Sequence, residues 1–168
     1  VMKRLFREAK IPIGKFLVFR ESEKINFNKV KKELNLPIFI KPANMGSSVG
    51  IAKVKNKIEF TRAIKNAFQY DTKIVIEKNI IGREIECAVL GNAHPKASVL
   101  GEIIPAGEYY SYDAKYVDDS KTLTKIKLPI KTKKKIQDLA VKVFKTLGCE
   151  GMGRVDFFLK KNGEVLVN

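Results

Sequence analysis

Short apolar runs alternate along this chain with amphipathic stretches, and the two patterns predict strands and helices respectively. Apolar side chains recur three and four positions apart over residues 131–147, which predicts a helix with one buried face, and Gly148 follows as its C-terminal cap. Shorter helices are predicted over residues 1–10, over 28–34 and after Asn56. Strands are predicted at residues 15–19, 36–40, 51–54, 73–77, 83–90, 101–105, 151–159 and 164–168. The first part of the chain therefore alternates strand and helix, as in a small α/β lobe.

The helix after Asn56 has a recognisable start. Asn56 is followed three residues later by Glu59, a pair that resembles a capping box, in which two side chains satisfy the first free N–H groups of a helix. The apolar face of this helix is predicted to consist of Ile58, Ile64, Ala67 and Phe68. That face would pack against the neighbouring strands.

A Gly/Ser-rich segment, KPANMGSSVG at residues 41–50, lies between two predicted strands and has the composition of a phosphate-binding loop. Its glycines let the backbone approach a ligand closely, Ser47 and Ser48 add hydroxyl groups, and Lys41 supplies a positive charge where the strand ends. Backbone N–H groups in such a loop bind anions, and a lysine neutralises phosphate oxygens. The segment matches neither the P-loop nor the GxGxxG pattern, and on its own it is more often a plain hairpin connection.

Two predicted strands have charged residues on one face, because side chains alternate along a strand. Glu84 and Glu86 share a face in one of them, and Arg154 and Asp156 share a face in the other. An arginine and an aspartate two residues apart form either a surface ion pair of small value or a clamp for an anion beside a magnesium ligand.

Two further features suggest a binding site. Glu77 ends an apolar strand, where a carboxylate either enters solvent or holds a ligand. Residues 106–120 form a long polar stretch rich in tyrosine, and loops of that length are commonly lids or binding loops. Lys115 and Tyr116 in its middle are the candidate contacts.

The strongly positive net charge raises nucleic-acid binding as a second possible class of function. The 168 residues have a formal net charge of +15 and a pI of about 9.8, as expected also of a nucleic-acid-binding protein. However, only six of the 33 basic residues are arginine, and the lysines are dispersed apart from a cluster at residues 131–135. Neither an RNP motif nor a zinc finger accompanies them, so nucleic acid is not the expected partner.

The remaining composition is that of a soluble globular protein, with 45% hydrophobic residues. The sequence contains no run of 18 apolar residues and residues 1–10 lack a signal-peptide pattern, so we expect no membrane partner and a cytoplasmic location. His94 is the single histidine, which argues against a His-based zinc site or a Ser-His triad.

Four segments together resemble the D-alanine–D-alanine ligase family of the ATP-grasp superfamily. They are KPANMGSSVG at 41–50, IEKNIIGREIE at 76–86, YSYDAKY at 110–116 and GRVDFFL at 153–159. The resemblance implies an α+β ATP-grasp fold, in which two α/β lobes with mainly antiparallel sheets enclose a nucleotide cleft. Residues 1–78 would form the central lobe and residues 79–168 a truncated C-terminal lobe.

The resemblance also implies roles for individual residues. The nucleotide-binding positions of the family fall on Lys41, Ser47, Ser48, Glu77, Lys78, Ile80, Glu84, Lys115 and Phe158. Its catalytic positions fall on Ser47, Tyr116 and Arg154, and its metal position, for Mg²⁺ or Mn²⁺, falls on Asp156. Lys41 and Lys115 would contact the ATP phosphates, and Glu84 would accept hydrogen bonds from the ribose. Ser47 and Tyr116 would close the site, and Arg154 would steady a tetrahedral intermediate.

The implied activity is that of an ATP-dependent ligase, which joins two D-alanines through a D-alanyl phosphate for peptidoglycan precursors. Its substrates would be ATP and D-alanine, and family members are commonly homodimers. Tyr116 resembles the dipeptide-forming members, whereas ligases that form D-alanyl-D-lactate tend to have a histidine in that loop. Because the sole histidine is His94, D-lactate is disfavoured, while D-serine or glycine as second substrate stays open.

The sequence departs from the family pattern at both ends. The family's N-terminal domain, and the glutamate and asparagine that complete its magnesium site, are not among the 168 residues. We therefore expect an internal fragment of a longer polypeptide that has little activity alone. Two alternatives stay open: another ATP-grasp enzyme, such as a carboxylase subunit or a different carboxylate-amine ligase, and a basic nucleic-acid-binding module.

Overall fold

The computed structural model describes residues 2–46, 48–104, 121–124 and 126–168. The elements in these ranges are α1 (Met2–Glu8), β1 (Phe16–Arg20), α2 (Phe27–Leu34), β2 (Ile38–Pro42), β3 (Ala52–Val54), α3 (Lys57–Ala67), β4 (Lys73–Lys78), β5 (Arg83–Leu90), β6 (Lys96–Ile104), β7 (Lys121–Leu123), α4 (Ile130–Thr146), β8 (Met152–Leu159) and β9 (Val165–Val167). The fold is α+β and consists of two compact units. The described residues of the first unit lie in 14–46 and 48–79, and those of the second unit lie in 2–13, 80–104, 121–124 and 126–168.

The first unit is built on an antiparallel sheet with the strand order β1-β4-β2-β3. Alternate side chains of its two central strands are completely buried against residues of α2 and α3; they are Ile38, Ile40, Ile74 and Ile76. Each buried isoleucine stabilises the unit by roughly 1.5–3 kcal/mol. The residues between them, Phe39, Lys41, Val75 and Glu77, therefore point to the opposite face of the sheet.

The second unit is built on an antiparallel sheet with the strand order β7-β6-β5-β8-β9. Helix α4 packs on one face of this sheet through the apolar positions that the sequence predicted: Ile136, Leu139, Ala140, Val143, Phe144 and Leu147. Gly148 follows with a φ of +64°, as predicted for a helix end. None of the helices in the described ranges is long and apolar enough to cross a membrane.

Helix α3 begins at the capping box that the sequence predicted. Asn56 Oδ1 accepts a hydrogen bond from the Glu59 backbone N–H at 2.9 Å, and Glu59 Oε2 accepts one from the Lys55 N–H at 2.6 Å. The predicted buried face of α3 is partly wrong, because Ile58 is 74% exposed whereas Phe60 is 3% exposed. Phe60 precedes Ile64, Ala67 and Phe68 by four, seven and eight positions, so it shares their face of the helix, whereas Ile58 lies on the opposite side from Ala67. The Phe60 ring also packs edge-on against Phe27, with the ring centroids 5.1 Å apart.

The N-terminal helix belongs to the second unit, whereas the sequence assigned residues 1–78 to one lobe and 79–168 to the other. Phe6 and Ile11 are buried in the core formed by β5, β8 and α4. The backbone N–H of Val167, in β9, also donates to the Pro12 carbonyl at 2.8 Å. These contacts join residues far apart in the sequence, so hydrophobic periodicity does not reveal them.

Strand β6 begins at Lys96, five residues before the predicted strand at 101–105. Its first residues pair with β5, with Lys96 opposite Leu90 and Ala97 opposite Val89. The sequence K-A-S-V that begins this strand is partly polar, so its strand character results from pairing with β5 and not from an apolar pattern.

Arg83 and Glu102 form a bidentate ion pair between neighbouring strands of the second unit. Arg83 Nε donates to Glu102 Oε1 at 2.7 Å and Arg83 Nη2 donates to Glu102 Oε2 at 2.6 Å. These hydrogen bonds lower the pKa of the Glu102 carboxyl below its usual value. A lowered pKa stabilises the fold above the pKa of the unfolded state, and this stabilisation is lost as the pH falls through the folded-state pKa.

We therefore expect Glu102→Gln to lower the free energy of unfolding by about 1 kcal/mol at neutral pH, because a charge-assisted pair is lost. The difference from the unsubstituted protein should shrink as the pH falls to about 3, because Glu102 of the unfolded chain is then protonated while the glutamine of the variant does not titrate. Urea unfolding at the two pH values measures both quantities. A loss of equal size in acid would contradict this role of the Glu102 charge.

Candidate functional site

Lys41 and Glu77 form an ion pair on the face of the first unit's sheet opposite α2 and α3. Lys41 Nζ lies 2.5 Å from Glu77 Oε2, and the Lys41 and Glu77 side chains are 25% and 11% exposed. The sequence left open whether Glu77 simply enters solvent; the structure instead places it among the buried residues, beside a lysine. A carboxylate held this way orients the lysine at the point where β2 leads into the Gly/Ser-rich loop.

The surroundings of this pair are largely apolar. Phe16 and Phe39 lie directly opposite Glu77 on the two neighbouring strands. Lys53 of β3 lies opposite Phe39, so it is on the same face of the sheet as Lys41. An apolar platform with lysines at one edge is chemically suited to a flat heterocycle attached to phosphates. No local sequence pattern marks Lys53, because its alignment with Phe39 depends on strand register.

The Gly/Ser-rich loop is fixed at its start by the side chain of Asp71, a residue that no sequence pattern links to the loop. Asp71 accepts a hydrogen bond from the Asn44 N–H at 2.7 Å and another from the Lys73 N–H at 3.0 Å. The loop ends in tight turns, in which the Val49 N–H donates to Gly46 O and Ser48 has a φ of +62°. Backbone N–H groups in a loop of this kind can bind an anion.

Gly50 is required where this loop meets β3. Its φ is +70°, and a Cβ atom there would lie 2.8 Å from both Pro42 Cγ and Tyr70 Cδ2. We expect Gly50→Ala to lower the free energy of unfolding by about 2–3 kcal/mol, since backbone strain and steric overlap add. The control is Gly148→Ala, because Gly148 has a φ of +64° but no atom within 4 Å of the added Cβ. Urea unfolding compares the two, and equal losses would contradict a steric role for Tyr70 and Pro42.

Arg154 and Asp156 form the second candidate cluster, on the face of the second unit's sheet opposite α4. Arg154 Nε donates to Asp156 Oδ1 at 2.7 Å and Nη2 donates to Oδ2 at 3.1 Å. Arg154 Nε also lies 3.4 Å from Glu86 Oε2. The prediction that Arg154 and Asp156 share a face is confirmed, and Glu86 joins them. Glu86 was placed on the right face from sequence, but its contact with Arg154 depends on the pairing of β5 with β8.

Three other predicted nucleotide residues lie near the ends of strands. Glu84 is opposite Phe158 on the same face as Arg154. Lys78 is exposed at the end of β4, where its N–H donates to the Lys15 carbonyl at 3.0 Å. Ile80 is half-buried and belongs to the second unit. Their proposed contacts with a nucleotide stay predictions.

The predicted positions Ser47, Lys115 and Tyr116 lie outside the described residues. Their assignment to the phosphates and to closure of the site therefore stays a prediction. Ser48 is described and lies in the loop turn beyond Gly46.

Asp156 has the chemistry of a magnesium ligand. Its side chain is 41% exposed, which keeps its oxygens accessible. Within the described ranges, no group of three or more His, Cys, Asp or Glu side chains is placed to hold a metal ion. Mg²⁺ commonly binds one or two carboxylates and completes its shell with water and substrate phosphates. The donor set at Asp156 therefore fits a metal that arrives with a phosphate-bearing substrate.

Comparison with known proteins gives consistent matches over all or nearly all of the chain. A family model described as the D-ala D-ala ligase C-terminus matches residues 5–168. A D-alanine–D-alanine ligase of Oceanobacillus iheyensis is 50% identical over 172 residues, which cover 100% of this chain and 47% of that protein. D-alanine–D-alanine ligase A of Salmonella typhimurium is 45% identical over the same shares of the two chains.

Solved structures give the same result. The D-alanine–D-alanine ligase from Coxiella burnetii matches with a TM-score of 0.86 and 38% identity, over 99% of this chain and 44% of that one. The VanG D-Ala:D-Ser ligase from Enterococcus faecalis matches with a TM-score of 0.88 and 36% identity, over 99% and 49% of the two chains. The chain thus spans about half the length of the curated relatives it matches.

Proposed function

We propose that this chain, which belongs to the D-alanine–D-alanine ligase family of ATP-grasp enzymes, contains the ATP-binding and phosphoryl-transfer residues of a ligase that joins two D-alanines. Lys41 provides the main support from the geometry. It is a lysine held by a buried carboxylate, at the start of a Gly/Ser-rich loop and beside an apolar sheet face. That combination suits a nucleoside triphosphate better than it suits a plain hairpin connection.

The proposed reaction has two steps. The carboxylate of the first D-alanine attacks the γ-phosphorus of ATP, which forms D-alanyl phosphate and releases ADP. The amine of the second D-alanine then attacks the acyl carbon, a proton leaves the nitrogen, and inorganic phosphate departs with one oxygen of the original carboxylate. Phosphoryl transfer depends on positioning and charge neutralisation more than on covalent help from the protein.

The residues of the chain have distinct roles in these steps. Lys41 and Lys115 neutralise the phosphate oxygens, and Glu84 orients the ribose. Arg154 stabilises the negative charge of the tetrahedral intermediate, because a guanidinium donates two parallel hydrogen bonds to neighbouring oxygens. Ser47 and Tyr116 exclude water from the acyl phosphate, which would otherwise hydrolyse.

Asp156 would hold Mg²⁺, or Mn²⁺ in its place. The ion, when bound, supplies positive charge that neutralises the transferring phosphate. We propose that this reaction takes place in the cytoplasm and supplies peptidoglycan precursors. Its substrates would be ATP and D-alanine, and the full-length protein would form a homodimer, with neither nucleic acid nor a membrane as partner.

The test is phosphate release by the purified protein that contains this chain, supplied with ATP, Mg²⁺ and a single D-amino acid. We expect release with D-alanine, together with D-alanyl-D-alanine as product. D-serine is the second candidate for the accepting substrate, because one similar structure is a D-Ala:D-Ser ligase. Each candidate is therefore supplied with D-alanine and the mixed dipeptide is quantified. A preference for D-lactate over both would overturn the assignment, as would ATP turnover independent of any D-amino acid.

A further inference from the structure

We propose that Glu86 is a positioning residue for Arg154, holding the guanidinium in place when Asp156 turns to a metal ion; this inference rests on the proposed function. Glu86 Oε2 lies 3.4 Å from Arg154 Nε, and the same Nε donates to Asp156 Oδ1 at 2.7 Å. One donor atom of the arginine is therefore within reach of two carboxylates. None of the roles proposed above uses Glu86.

Strand register places Glu86 at the centre of this cluster. It is directly opposite Asp156 on β8 and directly opposite Gly101 on β6. Two carboxylates facing each other across a strand pair repel unless a cation lies between them. Arg154 contacts both, so the pair Glu86 and Asp156 favours a guanidinium at this point of the sheet.

Gly101 supplies the space that Glu86 occupies. A Cβ atom at Gly101 would lie 3.0 Å from both Cγ and Oε1 of Glu86. The Glu86 side chain is 20% exposed, so it lies against the sheet and does not extend freely into solvent. A glycine at position 101 thus keeps the carboxylate beside Arg154.

Arg154 and a metal ion would both need the carboxylate oxygens of Asp156, and Glu86 gives Arg154 a second carboxylate. Both of its oxygens accept hydrogen bonds from Arg154, at 2.7 and 3.1 Å. A metal ion bound at Asp156 draws on the same oxygens and weakens those bonds. Glu86 then offers Arg154 another carboxylate, and a small shift of Nε toward Oε2 keeps the guanidinium oriented. Arg154 can therefore stabilise the tetrahedral intermediate while Asp156 binds the metal ion.

The first test is Glu86→Gln in the full-length protein, which removes the charge and preserves the shape. We expect kcat for dipeptide formation to fall by about 10- to 100-fold, with KM for ATP within about threefold, because the effect falls on the reaction and not on nucleotide binding. The matched control is Glu102→Gln, which breaks a closer arginine pair in the same sheet, at 2.7 and 2.6 Å. It should leave kcat unchanged. An unchanged kcat in Glu86→Gln would overturn the inference.

A double-mutant cycle separates positioning from a general loss of stability. If Glu86 acts through Arg154, Glu86→Gln adds less than about twofold to the loss already caused by Arg154→Lys. Gly101→Ala provides a second variant, since it displaces Glu86 without removing it. Gly101→Ala should lower kcat as Glu86→Gln does, and combining the two substitutions should lower kcat little further. If the kcat losses of the single variants multiply in either double variant, Glu86 and its partner in that variant act independently, which would contradict the inference.

A spectroscopic readout needs neither ATP nor metal. The Arg154 Nε–H signal, assigned by its absence in Arg154→Lys, should shift in Glu86→Gln and stay in place in Glu102→Gln. If the unchanged protein makes no dipeptide, the proposed function fails, while this signal still reports on the contact of Glu86 with Arg154. If the protein is active and neither the signal nor kcat responds to Glu86→Gln, the inference alone fails.

Discussion

Replacing Lys41 by methionine is expected to lower ATP-dependent dipeptide formation by about 10²- to 10³-fold, because a fixed cation at the phosphates is lost. The substitution also removes the lysine beside the Glu77 carboxylate, whose side chain is only 11% exposed. Some loss of stability is therefore expected together with the loss of activity. Steady-state kinetics in ATP and urea unfolding measure the two effects separately.

The control for Lys41→Met is Lys65→Met, which removes an exposed lysine from the last turn of α3. It should change neither quantity. The double variant Lys41→Met with Glu77→Gln separates the two roles of the lysine, because removing both charges should restore much of the stability and none of the activity. Activity within about threefold of the unchanged protein in Lys41→Met would contradict a phosphate-binding role.

Arg154→Lys is expected to lower kcat for dipeptide formation by about 10²- to 10³-fold, with a much smaller effect on KM for ATP. The lysine keeps the charge but loses the planar, two-pronged donor set that Arg154 presents to Asp156 at 2.7 and 3.1 Å. A point charge on a flexible stem stabilises a tetrahedral intermediate less well. The measurement is dipeptide formation at saturating ATP and D-alanine.

Arg83→Lys is the matched control for Arg154→Lys. It makes the same change in an arginine that also forms a bidentate carboxylate pair in the second unit, and no role is proposed for Arg83 in the reaction. We expect a small loss of stability and an unchanged kcat. If both variants lose kcat equally, the effect reports on the sheet as a whole, and the catalytic role of Arg154 is wrong.

Local features of the sequence predicted local features of the structure. The capping box at Asn56 and Glu59, the buried face of α4 and the shared face of Arg154 and Asp156 are all set by residues at most a few turns or pleats apart. Their physical causes act over short separations along the chain, so the amino-acid pattern alone specifies them.

Features that depend on the register between paired strands were not predictable in this way. The contact of Glu86 with Arg154 needs the register of β5 against β8, and the place of Lys53 beside Phe39 needs the register of β2 against β3. The N-terminal helix likewise packs on a core whose other residues lie far along the chain. These contacts depend on how whole strands and helices pack together. No short stretch of sequence specifies that packing.

The resemblance to a known family assigned more of the candidate site residues than the residue patterns did on their own. Lys41 was a candidate from composition, but a Gly/Ser-rich turn alone is more often a hairpin. The structure adds the ion pair with Glu77, which explains why a strand end keeps a buried charge. It also adds Asp71 at the start of the loop. Neither carboxylate can be linked to the loop without knowing how β4 pairs with β2.

The fate of the carboxylate oxygen of D-alanine tests the proposed reaction most directly. D-alanine labelled with oxygen-18 in its carboxylate is supplied with ATP and Mg²⁺ to the full-length protein, and the released phosphate is analysed by mass spectrometry. If the reaction passes through D-alanyl phosphate, each phosphate formed with the dipeptide contains one oxygen-18 atom, and ADP is the other product. Unlabelled phosphate, or AMP and pyrophosphate as products, would contradict it.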